Sequence, residues 1–397
     1  MAEQKVLAAN GNTMVAEAYR QAEPDVVAAY PITPQTAIVE QFDKYVAEGL
    51  VHTEFVPVES EHSSMSACIG ASTTGARVAT ATASQGLALM YEELHIAAGM
   101  RCPIVMANAN RAISAPINIH GDHSDVMGAR DAGWIIFFAE TAQEAYDNTL
   151  VSFRVAEDKD VQLPVMTTMD GFITSHAMER CELMDDATVA DFLGTRTARE
   201  PMVGGDHPVS QGMFASVGGA YFNLKQGESL AIDSVKPTIQ RIGEEWAKIC
   251  GRPFSLVDAF ECEDADYIIV ILGSSAGNAR AVARELREQG VKAGVLRLKL
   301  YRPFPAAEVR EGLKNAKAIA IMDRSDSFGA QYAPLGEDVR CALYPMDGHI
   351  PTRDYIYGLG GADVTLDLMR QVYSELQELA AGKLDQGKHY LGTNKAQ

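Results

Sequence analysis

The 397-residue chain has no C-x-x-C pair, no apolar run of about eighteen residues and no excess of basic residues. Its six cysteines are scattered, which argues against a structural zinc site or a ferredoxin-type cluster in this chain. The lack of a long apolar run predicts no membrane-spanning helix. A formal charge of −19 disfavours binding to nucleic acid or to an anionic membrane, since their phosphates would be repelled. The N-terminus lacks the layout of a secretory signal, so we expect a cytoplasmic protein with reduced thiols.

The composition is that of a folded globular chain, with 47% apolar and 22% charged residues. Its length exceeds one ordinary core, so two or three domains are expected. The first half alternates short apolar runs with helical patterns, which predicts a mainly parallel sheet with helices on both faces. Strands are predicted at residues 26–30, 78–83, 104–107, 135–139 and 164–169, and helices at 87–98 and 142–156.

The pattern changes in the second half. Residues 196–240 are rich in Gly, Pro and polar residues, and we predict an excursion and linker that reaches towards a partner. A second α/β pattern begins near residue 264, with strands predicted at 267–272, 291–298 and 318–322 and a helix at 276–289. The polar tail beyond residue 386 is predicted to fray. The predicted domains are therefore residues 1–195, 196–255 and 256–390.

Three side chains in the first half invite a functional interpretation. Thr33 precedes Pro34, which suits the first position of a helix, so Thr33 is predicted as a helix N-cap that could also hold a carboxylate or carbonyl oxygen. Glu61 is either a solvated acid of a first helical turn or a buried carboxylate that needs a partner. Arg111 offers a rigid fork for a carboxylate, and the alternative is a surface ion pair.

Other polar segments are less specific. The two histidines of residues 120–123 (His-Gly-Asp-His) do not predict a metal site, because a glycine lies between them and no third ligand is evident. Asp122 and His123 are either part of the wall of a site or ordinary loop residues. Ser84 and Gln85 form a predicted strand-to-helix turn that either shapes a pocket or is a plain turn. Residues 273–275 (Gly-Ser-Ser) lack the spacing of a phosphate-binding loop and are predicted to be a plain turn.

Four segments together resemble the 2-oxoacid:ferredoxin oxidoreductase family, in particular the alpha chains of its split pyruvate enzymes. They are residues 30–34 (Tyr-Pro-Ile-Thr-Pro), 58–64 (Val-Glu-Ser-Glu-His-Ser-Ser), 82–86 (Thr-Ala-Ser-Gln-Gly) and 110–112 (Asn-Arg-Ala). The resemblance extends from residue 11 to residue 360, and it includes residues 170–172 (Asp-Gly-Phe), to which no role is assigned. It implies a thiamine-enzyme pyrimidine-binding domain, a parallel doubly wound α/β sheet, followed by a smaller α/β domain similar to the transketolase C-terminal unit.

The resemblance also implies an activity and roles for individual residues. The enzyme would convert pyruvate, coenzyme A and oxidised ferredoxin into acetyl-CoA, CO2 and reduced ferredoxin, reversibly, with thiamine diphosphate as cofactor. Glu61, rather than Glu59, would protonate the pyrimidine ring of the cofactor, and Thr33 and Arg111 would hold the 2-oxoacid. Secondary candidates for the site are Ile32, Ser84, Gln85, Asp122 and His123, and no residue is assigned to a metal.

The chain shows no Gly-Asp-Gly…Asn pattern for a diphosphate and its metal. The resemblance therefore implies that Mg²⁺, the diphosphate and a first [4Fe–4S] cluster belong to a beta subunit. Gamma and delta subunits would complete a hetero-oligomer, and the chain alone is predicted to be inactive. Two alternatives stay open: the same chemistry on 2-oxoglutarate or a branched 2-oxoacid, and a non-catalytic assembly subunit.

Overall fold

The computed structural model describes residues 4–346 and 348–393. The strands of that part of the chain form a seven-stranded sheet, a six-stranded sheet and a two-stranded ribbon. The strands of the first half are Gln4–Ala9 (β1), Val26–Ala29 (β2), Glu54–Pro57 (β3), Val78–Thr82 (β4), Ile104–Asn110 (β5), Ile135–Ala139 (β6), Val165–Asp170 (β7) and Glu179–Met184 (β8). Its helices are Gly11–Ala22 (α1), Thr36–Ala47 (α2), Glu61–Thr73 (α3), Ser84–Leu89 (α4), Tyr91–Gly99 (α5), Ser124–Ala129 (α6), Ala142–Glu157 (α7) and Asp186–Leu193 (α8).

The second half continues with two helices and then a further α/β arrangement. Its strands are Val257–Phe260 (β9), Tyr267–Ile271 (β10), Ala293–Leu298 (β11), Leu300–Arg302 (β12), Ala318–Asp323 (β13), Thr352–Ile356 (β14) and Lys388–Tyr390 (β15). Its helices are Ala220–Ser234 (α9), Lys236–Cys250 (α10), Ala276–Glu288 (α11), Ala306–Leu313 (α12), Pro334–Leu343 (α13) and Leu366–Ala380 (α14), with a short 3-10 turn at Leu359–Gly361.

The seven-stranded sheet has the order β12-β6-β7-β5-β4-β2-β3, and its strands from β2 to β7 pair in parallel. Strand β5 is buried along its whole length because helices cover both faces of the sheet. Its residues alternate between two cores: Val105 packs with α1, α2 and α7, whereas Met106 packs with α3 and α5. The predicted doubly wound arrangement is confirmed for this part of the chain.

The six-stranded sheet has the order β15-β14-β13-β10-β11-β9, with β9 as an antiparallel edge strand. The two large sheets are connected through a strand that the second half of the chain contributes to the first sheet. Strand β12 follows β11 in sequence, yet it pairs with β6 of the first sheet, where Leu300 lies opposite Phe137. The domain limits 1–195, 196–255 and 256–390 stay a prediction, and the structure adds that residues 300–302 extend the first sheet.

Most predicted elements are found within a few residues of their predicted bounds, and three regions differ in secondary structure from what was expected. The predicted helix 87–98 is two helices, α4 and α5, separated at Met90. Much of the predicted irregular segment 196–240 is helical, since α9 spans Ala220–Ser234 and α10 begins at Lys236. In the tail, which was predicted to fray, residues 388–390 form β15, with Lys388 opposite Asp354 of β14. Residues 394–397 lie outside the described part of the chain.

Two further predictions concern the environment of the chain. Among the described helices, none combines the length and the hydropathy that crossing a bilayer requires. All six cysteines are free thiols, and only Cys341 is exposed. Burial raises the pKa of Cys68 to about 12 and that of Cys102 to about 11. These thiols are therefore protonated core residues with little nucleophilic character.

Candidate active site

The four segments singled out in the sequence meet at one edge of the seven-stranded sheet. Each follows a parallel strand: residues 30–34 follow β2, residues 58–64 follow β3, Ser84 and Gln85 follow β4, and Arg111 follows β5. The carboxyl ends of parallel strands share one edge, which is where ligands bind in open α/β sheets. The Gln35 side-chain amide donates to the Ala81 carbonyl at 3.1 Å, which ties the first segment to β4.

Thr33 is not the N-cap of α2, because that helix begins at Thr36 and Gln35 precedes it. The backbone instead makes a turn in which the N–H groups of Gln35 and Thr36 donate to the Ile32 carbonyl at 2.9 and 3.1 Å. The N-cap prediction is therefore wrong for the local structure. Thr33 is exposed and Ile32 is half-buried, so Thr33 is accessible to a ligand.

Glu61 is the first residue of α3 and is only 6% exposed. Ser60 caps the helix by accepting a hydrogen bond from the Ser63 N–H at 3.2 Å. Glu59 is exposed and accepts a hydrogen bond from the Ser63 hydroxyl, so the interpretation as a solvated acid fits Glu59 and not Glu61. Burial raises the pKa of Glu61, although its own backbone N–H opposes the shift.

The Glu61 carboxylate lies against the backbone of Gly86, at the start of α4. A Cβ atom at Gly86 would come within 2.6 Å of both Glu61 Oε1 and Thr82 Oγ1. Thr82 Oγ1 and Gln85 Nε2 are buried and have no hydrogen-bond partner in the described part of the chain. Buried polar groups are usually paired, so these two unpaired atoms beside Glu61 fit a bound ligand that carries polar groups.

Ser84 connects these buried polar atoms to the segment that carries Arg111. Its hydroxyl lies 2.6 Å from the Ala112 carbonyl oxygen and 2.6 Å from Gln85 Oε1, and its backbone N–H donates to Asp125 Oδ2 at 3.0 Å. Ser84 has a φ of +51°, an uncommon conformation for a residue with a side chain. Ser84 and Gln85 therefore form a turn beside Glu61 whose position is fixed by the hydrogen bonds of Ser84.

Asp125 is the residue of this region that the sequence did not reveal. Its buried carboxylate accepts hydrogen bonds from the backbone N–H of Ser84 and Arg111 and from the side-chain amides of Asn108 and Asn110, at 3.0 to 3.1 Å. Burial raises its pKa, and the four donors oppose that shift. Asp125 thus fixes the ends of β4 and β5 relative to each other, a role without a local sequence signal.

Arg111 is 7% exposed, which contradicts the surface ion-pair alternative. Its Nη1 donates to the Thr33 carbonyl at 2.9 Å, and its Nε donates to the Asn118 carbonyl at 3.1 Å. Burial lowers the pKa of Arg111, with Asp125 opposing, but an arginine stays charged in proteins. The guanidinium is therefore held by two backbone carbonyls and keeps further N–H donors for a ligand.

Asp122 and His123 face the second half of the chain. Asp122 Oδ2 accepts a hydrogen bond from the Gly360 N–H at 3.0 Å. His123 Nε2 lies 2.7 Å from Asp170 Oδ1, and Arg324 Nη1 lies 3.1 Å from Asp170 Oδ2. The side chains of His123, Asp170 and Arg324 are all buried. Asp170 also accepts a hydrogen bond from the Ser274 N–H at 2.9 Å. The turn at residues 273–275 thus binds a carboxylate of the protein itself.

Within the described residues, one group of three side chains has metal-ligand spacing: His62, Glu92 and Glu93. His62 Nε2 lies 2.8 Å from Glu92 and 3.3 Å from Glu93, and the hydrogen bond to Glu92 raises the pKa of His62. A protonated histidine paired with two carboxylates accounts for the group without a metal. The two histidines of residues 120–123 are separated, because His123 is buried and His120 is exposed.

This edge brings a buried acid, a cluster of buried polar atoms and a held arginine together at the carboxyl ends of parallel strands, which is the ligand-binding position of doubly wound α/β proteins. Two family models match the chain. "Pyruvate flavodoxin/ferredoxin oxidoreductase, thiamine diP-bdg" covers residues 17–243, and "Pyruvate:ferredoxin oxidoreductase core domain II" covers residues 265–369. The chain belongs to the pyruvate:ferredoxin oxidoreductase family, as the sequence predicted.

Within this family the chain is similar to single subunits of the split enzymes. It is 47% identical to pyruvate synthase subunit PorA of Thermotoga maritima, over 93% of this chain and 94% of that protein. Identity to PorA of Methanocaldococcus jannaschii is 42%, over 95% of this chain and 96% of that one. The chain is 39% identical to ketoisovalerate oxidoreductase subunit VorA of Pyrococcus horikoshii, over 95% of each chain.

Two solved structures share the fold. A 2-oxoglutarate:ferredoxin oxidoreductase from Magnetococcus marinus has a TM-score of 0.71 at 18% identity, and the match covers 94% of this chain and 65% of that one. A split-gene transketolase, an inactive beta4 tetramer, has a TM-score of 0.57 at 15% identity, over 94% of this chain and 99% of that one. These similarities confirm the predicted thiamine-enzyme architecture.

Proposed function

We propose that this chain is the alpha-type subunit of a pyruvate:ferredoxin oxidoreductase and provides the 2-oxoacid site and the pyrimidine side of the thiamine diphosphate site. The reaction takes pyruvate, coenzyme A and two oxidised ferredoxins to acetyl-CoA, CO2, a proton and two reduced ferredoxins, reversibly. The observation that carries the proposal is the buried Glu61 carboxylate against Gly86, at the sheet edge that also presents Thr33 and Arg111.

Glu61 is proposed as the proton donor and acceptor for the pyrimidine ring. Thiamine diphosphate, when bound, supplies a carbon nucleophile that attacks the keto group of the substrate. A carboxyl group whose pKa is raised by burial can hold a proton closer to neutral pH, which suits general acid–base work. The absence of a side chain at Gly86 lets the Glu61 carboxylate and the Thr82 hydroxyl pack against its backbone. The buried donor Gln85 Nε2 and the Thr82 hydroxyl have no partner in the described part of the chain, so they are available to polar atoms of the ring.

Arg111 and Thr33 are proposed to bind the 2-oxoacid. The guanidinium matches a carboxylate in charge and geometry, and its attachment to two carbonyls fixes its plane before substrate arrives. Thr33 is exposed at the same edge and offers a hydroxyl to the keto or carboxylate oxygen. Fixing both ends of a small substrate places the keto carbon for attack, and such positioning supplies much of a rate enhancement.

Pyruvate is favoured as the substrate over a branched 2-oxoacid. The chain is 47% identical to a pyruvate synthase subunit and 39% identical to a ketoisovalerate oxidoreductase subunit. The similarity to the 2-oxoglutarate enzyme concerns the fold alone. A profile of kcat/KM across pyruvate, 2-oxoglutarate and 2-oxoisovalerate tests this choice, with pyruvate expected to give the highest value. A higher value for either larger substrate would contradict it.

Partner subunits are proposed to hold Mg²⁺, the diphosphate and the [4Fe–4S] clusters, as beta, gamma and delta chains. The five buried cysteines are divided between two hydrophobic cores, and among the described residues none belongs to a group with metal-ligand spacing. Exposed large apolar side chains are typical of subunit contacts. Between residues 196 and 234 they are Met202, Val203, Met213, Phe214, Val217, Tyr221, Phe222, Leu224 and Leu230.

The test is reconstitution. The chain is purified alone and co-expressed with its partners, and each sample is analysed for thiamine, iron and pyruvate-dependent reduction of ferredoxin. We expect iron and turnover only in the assembled complex. Full ferredoxin reduction by the isolated chain would contradict the proposed division of the active site.

A further inference from the structure

The loop that follows Arg111 is held in place by the second half of the chain. Residues 112–123 leave the end of β5 and lie against the turn at residues 358–361, which follows β14. The Gly360 N–H donates to Asp122 Oδ2 at 3.0 Å, and the Gly361 N–H donates to the Gly121 carbonyl at 2.9 Å. The loop next to the proposed carboxylate-binding arginine is therefore fastened to a segment about 240 residues further along the sequence.

Asn118 connects this turn directly to Arg111. Its backbone carbonyl accepts the hydrogen bond from Arg111 Nε at 3.1 Å. Its side-chain Nδ2 donates to the Gly360 carbonyl at 2.9 Å, and its Oδ1 accepts from the His120 N–H at 2.7 Å. One residue thus contacts the guanidinium on one side and the second half of the chain on the other.

The turn leaves no room for a side chain at this contact. Gly360 has a φ of +58°, which favours glycine, and a Cβ atom there would overlap Asn118 Nδ2. A Cβ atom at Gly361 would overlap the Cβ of His120 in the same way. Close packing of Gly360 against the Asn118 side chain and of Gly361 against the His120 side chain, and not only one hydrogen bond, therefore sets the position of Asn118.

We propose that Asn118 is a positioning residue for Arg111. The turn at Gly360 holds Asn118 in place, and Asn118 in turn fixes the plane of the Arg111 guanidinium for the substrate carboxylate. The second half of the chain thereby takes part in 2-oxoacid binding without touching the substrate. This inference rests on the proposed role of Arg111. An arginine side chain has several rotatable bonds, and holding Nε as well as Nη1 removes much of the freedom that binding would otherwise have to remove.

The test is Gly360→Ala in the reconstituted complex, with Gly382→Ala as the matched control. Both glycines have positive φ (+58° and +70°), but a Cβ atom at Gly382 meets nothing within 4 Å. We expect Gly360→Ala to raise the KM for pyruvate about tenfold and to leave kcat within about twofold, because binding is lost and the chemical step is not. The KM for coenzyme A stays unchanged, and Gly382→Ala changes none of these values.

Asn118→Ala provides a second perturbation on the other side of the same contact. It removes the hydrogen bonds to Gly360 and His120, and we expect the same selective rise in the KM for pyruvate. Size-exclusion chromatography and circular dichroism show whether each variant assembles and folds. A variant that folds and binds pyruvate as the wild type does would overturn the positioning role.

A double-mutant cycle shows whether the contact between Asn118 and Gly360 acts through Arg111. We expect Gly360→Ala to add less than about twofold to the KM of Arg111→Ala, because the group that it positions is already absent. Full additivity would overturn the inference and leave the function of Arg111 intact. If Arg111→Ala alone does not alter the KM for pyruvate, the proposed substrate site itself is wrong, so the two failures are distinguishable.

Discussion

Arg111 Nη1 donates a hydrogen bond to the backbone carbonyl oxygen of Thr33 at 2.9 Å, across 78 positions of sequence. The two residues proposed to bind the 2-oxoacid are therefore in direct contact before any substrate binds. The contact uses the carbonyl of Thr33 and leaves its hydroxyl for another partner. Because β2 and β5 both end at this edge, the sheet itself brings the two residues together.

Arg111→Lys is expected to raise the KM for pyruvate by about 10- to 100-fold, with a smaller change in kcat. An ammonium group can neither pair with a carboxylate bidentately nor reach the carbonyls of Thr33 and Asn118 at the same time. Steady-state kinetics of the assembled complex measure the effect. Arg130→Lys is the control, since the ion pairs of Arg130 are with two partly exposed carboxylates of the protein itself, Glu337 at 3.3 Å and Asp131 at 3.6 Å. Equal effects of the two substitutions would show that Arg111 has no special part in substrate binding.

Glu61→Gln is expected to lower kcat by about 10²- to 10⁴-fold, since an amide of the same shape cannot exchange a proton. Glu59→Gln is the matched control two residues earlier, where the side chain is exposed, and it should retain activity. Bound thiamine and subunit composition are measured in both complexes to show that assembly is intact. Wild-type turnover in Glu61→Gln would instead favour the alternative of an assembly subunit with a vestigial pocket.

The strands and the position of the site could be predicted from the sequence because they depend on local patterns. Continuous apolar runs such as residues 135–139 predicted β6 within the buried parallel sheet. Thr33, Ser84 and Arg111 each come shortly after a predicted strand, which placed them at one edge, since parallel strands end together. The choice of Glu61 over Glu59 came from the family resemblance, and the structure agrees to the extent that only Glu61 is buried.

The remaining features depend on tertiary contacts that leave no local trace. The Asn118 side chain contacts Gly360 across 242 positions of sequence, and Asp125 accepts hydrogen bonds from four donors at the ends of two strands, β4 and β5. Helix α9 was missed because none of its residues is fully buried, and only Ala231 and Ile232, near its end, pack partly against a core. Strand β15 is only three residues long, and its place is set by pairing with β14.

Asp170→Asn is expected to destabilise the protein by about 3–5 kcal/mol, because it removes one partner of a buried charge cluster and leaves Arg324 unpaired. The side chains of Asp170 and Arg324 are 1% and 0% exposed. Thermal unfolding of the complex at neutral pH measures the loss. Asp186→Asn is the control: the side chain of Asp186 pairs with Arg20 but is 65% exposed, so the expected cost is below about 1 kcal/mol.

The same variant has a defined pH dependence. Burial alone would raise the pKa of Asp170, but Arg324 and His123 outweigh it and hold the pKa well below its ordinary value of 3.8. A depressed pKa contributes stability that is complete above the unfolded-state value and is lost as the pH falls towards the folded-state value. The difference in stability between wild type and Asp170→Asn should therefore shrink below about pH 4. A difference that grows on acidification would contradict the assigned ion pair.

Asp323→Asn should have the opposite pH dependence. Burial raises the pKa of Asp323 to about 8, a backbone hydrogen bond from Leu335 opposes the shift, and the nearby Asp354 adds to it. Because the folded-state pKa exceeds the unfolded-state value, the folded chain holds a proton that the unfolded chain has released. Stability contributed by this proton is present at low pH and is lost as the pH rises from about 4 to about 8.

An asparagine at this position stays neutral and can still accept the hydrogen bond from the Leu335 N–H, which is 2.6 Å long in the wild type. The melting temperature of Asp323→Asn minus that of the wild type should therefore be more positive at about pH 8 than at about pH 5. The exposed Asp363→Asn serves as the control for replacing an aspartate by an asparagine. If Asp323→Asn raised the melting temperature more at the lower pH than at the higher pH, Asp323 would be ionised in the folded protein. Its buried environment would then have to be reinterpreted.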